Sequence, residues 1–182
     1  MSNTIKQVMY MIDTKQELKR VLDIEGKRYG KKWYFDLPFN MTEKQVLYKH
    51  SKYLRRAEYA YNKKSIFRHL SLLRLRRLQI RYGIAISLNT VGEGFYIEHL
   101  GSVIINDKAV IGKNLKVHPG VVIGDNHGKA PKIGDDVYIG PGAKVFGDVT
   151  LADNVQVGAN AVVTKSCENK GAILVGIPAS EK

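Results

Sequence analysis

The stretch GFYIEHLGSVIIN, residues 94 to 106, sets one histidine, His99, inside an aliphatic run otherwise fit for a β-strand, with Glu93 and Glu98 close by in sequence. A neutral imidazole, with a reference pKa of about 6.5, can take a proton from a reacting hydroxyl at physiological pH. It can also ligate zinc, for which three histidines, two of them closely spaced, would be needed. His118 in VHPGVV and His127 in GDNHGKAPK follow His99 at separations of 19 and 9 residues, which supply no such pair. No metal is therefore expected. His118 reads as a corner residue or an alternative base, and His127 as a contact to an acceptor or coenzyme. His50 and His69 lie in a different kind of sequence and read as structural.

The elements that must carry these residues have a period of six. From residue 91 the chain divides into eleven units, among them VGEGFY, INDKAV, IGKNLK, VHPGVV, IGDDVY, IGPGAK, LADNVQ and VGANAV. Each opens on Val, Ile or Leu, and six follow it with Gly. Two inward positions per six, with Gly or a polar residue at the corners, suit a chain turning around a triangular prism, three units to a coil. Two units are expanded: IEHLGSVI by two residues, beside His99, and IGDNHGKAPK by four, around His127 and Lys129. Irregularity in a regular solenoid is where sites tend to be built.

Upstream the pattern is helical. TKQELKRVLDIEGKR opens on a Thr14 cap, TEKQVLYKHSKYLRRAEYAYN opens on Thr42, and residues 30 to 40 read as a loop between them. A third segment, SIFRHLSLLRLRRLQIRYG, sets Phe67, Leu70, Leu73 and Leu78 roughly on one stripe with arginines among them. Residues 1–82 hold 20 Lys+Arg against 7 Asp+Glu, and residues 83–182 hold 9 against 10, so the two parts carry +13 and −1. This shift predicts a basic α-helical N-terminal domain over 1–82 and a β-solenoid domain over 83–182. It also predicts that the helices meet something anionic, a phosphate-bearing substrate or a membrane surface. Nothing resembles a nucleic-acid-binding motif, so nucleic acid is not an expected partner. One cysteine, Cys167, excludes an intramolecular disulfide framework. No apolar run reaches the length of a membrane span, and the N-terminus lacks the apolar core of a secretory signal. These readings predict a cytoplasmic protein, peripheral at most to the inner face of the membrane.

The segments VGEGFYIEHLGSVIINDKAVIG, PKIGDDVYIGPGAKVFGDV, VGANAVVTKS and VGIPAS resemble the hexapeptide-repeat acyltransferases, above all serine acetyltransferases and the O-acetyltransferases of capsular or lipopolysaccharide sugars. The resemblance spans residues 84–179. It implies a left-handed parallel β-helix, a mainly β fold, assembly as a homotrimer, and acetyl-CoA as co-substrate. It also implies that His99 is the general base, since the matching histidine of serine acetyltransferases has that role. For the coenzyme it carries over Gly140, Gly142, Ala159, Lys165, Gly176 and Pro178.

Departures from the serine acetyltransferase pattern bear on the acceptor. Ungapped extension back from His99 puts Ile84 where those enzymes carry the aspartate paired with the histidine, leaving Glu93 or a backbone carbonyl to orient the ring. Glu98, next to His99 on a strand, points the other way. Lys129 and Ala130 stand where Arg and His are expected, which removes contacts that serine would use. On these grounds the sequence favours a hydroxyl of a surface-polysaccharide sugar or its lipid- or nucleotide-linked precursor as acceptor. The alternatives are serine, or a β-helix that serves only as a scaffold.

Overall fold

The computed structural model describes residues 11–37, 39 and 42–182. The reading of the first ten residues, and part of the expected loop at 30–40, lie outside them.

Three α-helices precede the solenoid. The first, α1 (Lys15–Arg28), starts on Thr14, whose hydroxyl accepts the Glu17 amide while the Glu17 carboxylate reaches back to the Thr14 amide. That reciprocal capping box satisfies donors the helix leaves open. A 3-10 turn, Trp33–Asp36, leads toward α2 (Glu43–Asn62), capped by Thr42. The third helix, α3 (Arg68–Tyr82), ends on Gly83, whose φ of 68° is the left-handed conformation common just beyond a helix. The stripe expected on this helix is different in the structure: Leu75 is its buried residue, whereas Phe67, Leu70 and Leu73 are exposed.

The first strand follows at once, and fourteen strands build three sheets. One contains β1 (Ile84–Ile86), β3 (Val103–Ile105), β6 (Val121–Gly124), β9 (Lys144–Phe146) and β12 (Val162–Val163). A second contains β4 (Val110–Ile111), β7 (Lys132–Ile133) and β10 (Thr150–Leu151). The third runs β2 (Tyr96–Ile97), β5 (Lys116–Val117), β8 (Tyr138–Ile139), β11 (Gln156–Val157), β13 (Ile173–Gly176) and β14 (Ala179–Glu181). Every pairing is parallel except that of β14, which folds back antiparallel on β13. The interior takes two residues per hexad: Ile111 and Leu115, Val117 and Val121, Ile139 and Ala143, Val145 and Val149, Val157 and Ala161 are all buried. Corners use Asn114, Asp136, Asn154 and Asn160 at positive φ, where short polar side chains are tolerated.

Helices and solenoid are joined by a buried ionic clamp. Arg55 of α2 bonds Glu25 of α1 at 2.7 Å and Glu58 at 3.0 Å, and donates to the carbonyls of Val91 at 2.8 Å and Gly92 at 2.6 Å. Burying three charges is tolerable only because each is paired and hydrogen-bonded. Tyr29, buried at the end of α1, adds a second tie: its hydroxyl accepts the Ile97 amide at 2.9 Å, two residues before His99.

Candidate active site

His99 follows β2, at the edge of the prism where the chain passes from the third sheet to the first. The two-residue expansion there lets the ring stand clear of the core, with 59% of the side chain exposed. Its Nδ1 lies 3.3 Å from Oε2 of Glu43, and Oε1 of the same carboxylate accepts the Leu100 amide at 2.5 Å. One carboxylate thus grips both the imidazole and the backbone beside it. The Leu100 amide above all, helped by His99, holds the Glu43 carboxyl below the usual range despite the opposing effect of burial. Glu43 opens α2, where the helix dipole also favours negative charge.

This is a correction to the expected geometry. Glu93 is bound instead by Arg20 and Lys113; burial pushes its carboxyl up, but the two cations outweigh that and leave it lowered. Glu98 pairs with Lys116 at 2.5 Å, as its opposite direction on the strand requires. Ile84 is buried, so no side chain at that position can face His99. The outward residue of β1 is Ala85, in register with Ile104, and it carries no carboxylate.

The same edge carries a column of expected site residues. In register with Glu98, the residue before His99, come His118 and then Gly140, one coil apart at about 4.8 Å per coil, with Gly142 and Ala159 at the same edge. The ladder amides fix this stacking: Glu98 N donates to Val117 O, His118 N to Ile139 O, Gly140 N to Val157 O. A Cβ at Gly140 would sit 2.9 Å from the Ala159 amide nitrogen, so the edge stays bare for a backbone reason. Lys144 Nζ donates to the carbonyls of Gly120 at 2.6 Å and Gly142 at 2.7 Å. The His118 ring is 6.4 Å from that of His99 and 5.3 Å from Tyr138, its Nε2 is buried without a hydrogen bond, and burial holds its pKa below the ordinary histidine value.

Other expected residues lie elsewhere. His127 and Lys129 sit at the edge between the first and second sheets. There Lys129 pairs with Asp148 at 2.8 Å, and Lys129 and Ala130 line a groove of about 580 Å3 with Lys108, Lys132 and Lys170. Within one chain this groove does not share an edge with His99. Lys165 and Pro178 line a separate hollow of about 340 Å3 at the last coil, and Gly176 turns β13 into β14 at a φ of 93°. Among the described residues no group of three His, Cys, Asp or Glu side chains is placed to hold a metal ion. No described helix is long and apolar enough to cross a membrane.

Residues 130–165 match the family described as bacterial transferase hexapeptide, six repeats. A serine acetyltransferase of Staphylococcus aureus strain Mu50 is 39% identical over 92 residues, 48% of this chain and 43% of that protein. The chain thus spans less than half the length of the curated relatives it matches. Soybean serine acetyltransferase complexed with serine superposes with a TM-score of 0.72 at 22% identity, over 92% of this chain and 70% of that one. A serine acetyltransferase in complex with CoA gives 0.71 at 19% identity, over 92% and 71%. The fold is therefore the one expected, a left-handed parallel β-helix behind N-terminal helices.

Proposed function

We propose that this hexapeptide-repeat chain, built like serine acetyltransferases, is an acetyl-CoA-dependent O-acetyltransferase with His99 as its general base. The observation that carries the reading is the Glu43 grip on Nδ1, which leaves Nε2 of an exposed ring to face an incoming hydroxyl. With the Nδ1 proton donated to the carboxylate, Nε2 keeps its lone pair. Bound acetyl-CoA would supply an acetyl group already activated as a thioester. Nε2 takes the acceptor's hydroxyl proton as the oxygen bonds to the acetyl carbon, and returns it to sulfur as the carbon–sulfur bond breaks. Glu43 steadies the imidazolium between these two transfers.

The edge above His99 suits an extended ligand: Gly140, Gly142 and Ala159 put backbone at the surface over roughly 10 Å to 15 Å from the base. Lys165 is the candidate for a coenzyme phosphate, with Gly176 and Pro178 closing the last coil beside it. The groove lined by Lys129 and Ala130 lies on another edge, so a site using both edges draws them from two copies. That supports a homotrimer.

The names of the relatives move the acceptor from a sugar to serine. The sugar hydroxyl remains the second reading on one observation: Lys129 pairs with Asp148 and Ala130 is apolar, so the two positions that replace Arg and His offer a carboxylate no unpaired cation. Free-thiol release from acetyl-CoA, run with serine and with surface-glycan oligosaccharides, decides between them. The His99→Ala variant is expected to lose roughly 10²- to 10⁴-fold in rate while still binding coenzyme. An undiminished rate in that variant would refute the assignment of the base.

A further inference from the structure

Helix α3 is apolar on two faces, and only one of them is used. Toward the protein it buries Leu75, and Gln79 donates to the Ile86 carbonyl at 2.8 Å. The opposite face carries Leu70, Leu73 and Ile80, 46%, 47% and 82% exposed, continued by Ile66 at 86% in the preceding turn. At 100° per residue these align on one stripe. Arg77 lies on the stripe itself. Arg74 and Arg81 flank it on one side, and His69 and Arg76 on the other.

We propose that this outer face of α3 is a docking surface for an anionic lipid bilayer. The charges choose the occupant. The spacing 66, 70, 73, 77, 80 alternates four and three residues, as in the seam of a coiled coil, so a second copy is the obvious rival. Pairing two copies along it would bury Arg77 in the seam and set Arg74, Arg76 and Arg81 against their own kind. No Asp or Glu occurs between Tyr61 and Gly83 to relieve that repulsion, and Lys63 and Lys64 extend the basic surface into the turn. Among the described residues no ion pair engages Arg68, Arg74, Arg76, Arg77 or Arg81; Arg68 meets His69 and Arg81 lies 5.9 Å from the Tyr82 ring. A bilayer answers both halves of the pattern. The isoleucines and leucines enter the headgroup boundary, while the guanidinium groups reach outward to lipid phosphates as bidentate donors. A helix of 15 residues, about 22 Å long, lies along such a surface.

The test is co-sedimentation of the full chain with vesicles of phosphatidylcholine alone and of phosphatidylcholine with about one third phosphatidylglycerol. The wild type is expected to bind the anionic vesicles, to bind the neutral ones far less, and to be released at roughly 1 M salt. Leu73→Ser with Ile80→Ser should weaken binding at least about tenfold. Arg74→Gln, Arg76→Gln and Arg77→Gln together should weaken it roughly 10²-fold, about fivefold for each cation lost near the surface. All these positions are exposed, and an unchanged thermal melt confirms that the variants fold. Absence of binding to anionic vesicles, equal binding to both kinds, or variants that bind like wild type would each overturn the proposal. So would a stripe variant whose native mass falls while the wild type ignores vesicles, since a second copy would then cover the face. None of these outcomes depends on acetyl transfer.

Discussion

Glu43 is the residue that holds His99, the proposed base, and it sits 56 positions away in another kind of structure. Its carboxylate touches the ring and not the reacting atoms, so it is a positioning residue. Replacing it with Ala is expected to lower kcat roughly 10- to 10²-fold with little change in KM for acetyl-CoA, and Glu43→Gln should fall between that variant and wild type. Steady-state kinetics checks this: an effect confined to KM would place Glu43 in binding instead. The exposed place of His99 at a corner was legible in the sequence, because an imidazole interrupts an aliphatic period beside an expansion. Its partner was not. Periodicity reports which residues face inward within one element, and a contact between a helix start and a solenoid corner leaves no trace in either period. Glu93, the nearest acid outside the strand, is drawn away by Arg20 and Lys113, which are equally invisible to spacing.

At the scale of elements, α2 is the part that transmits position from the solenoid to Glu43. The Arg55 clamp fixes it against the first coil through Val91 and Gly92. Arg55→Met would leave Glu25 and Glu58 buried beside each other without a cation, at a cost of about 3–5 kcal/mol, read as a drop in the urea midpoint. The same helix buries His50, whose Nε2 has no hydrogen-bond partner; burial, then the Arg55 charge, lower its pKa to about 3. The unfolded chain protonates this histidine near 6.5 and the folded one only near 3, so between those values the unfolded state binds more protons. Stability therefore falls as pH drops through that window, by up to about 1.4 kcal/mol per pH unit from this group. His50→Leu should flatten that slope in chemical denaturation measured between pH 6 and pH 4. An identical slope in the variant would show that other groups govern acid unfolding. Both helix caps, Thr14 and Thr42, were readable from their residue types. The stripe on α3 was legible in part: Leu70 and Leu73 share a face, Leu78 lies off it, and only burial separates Leu75 from Leu73.

For the whole molecule, the two expanded hexads lie at different edges of the prism, so assembly decides whether they ever meet. A homotrimer is the expected state, with a mass three times 20.4 kDa by light scattering. A monomer with full transferase activity would refute the shared site. The solenoid was the most legible feature, since its period repeats eleven times and each repeat needs the same two inward side chains. Which outer face would meet a second copy was not, because nothing in a hexad distinguishes one outer face from another.

The ladder registers add a constraint of a different kind. Lys132 pairs with Thr150, Tyr138 with Gln156 and Lys144 with Val162, an offset of 18 residues in every case. The upper solenoid therefore behaves as a dial with three stops. Inserting six residues between Gly142 and Ala159 would leave a foldable string of hexads yet turn Ala159 onto a different face from His99, whereas inserting eighteen would restore the alignment one storey higher. Length changes in this chain are tolerated by arithmetic modulo a full turn, and an insertion's effect on coenzyme affinity should follow its remainder more closely than its size.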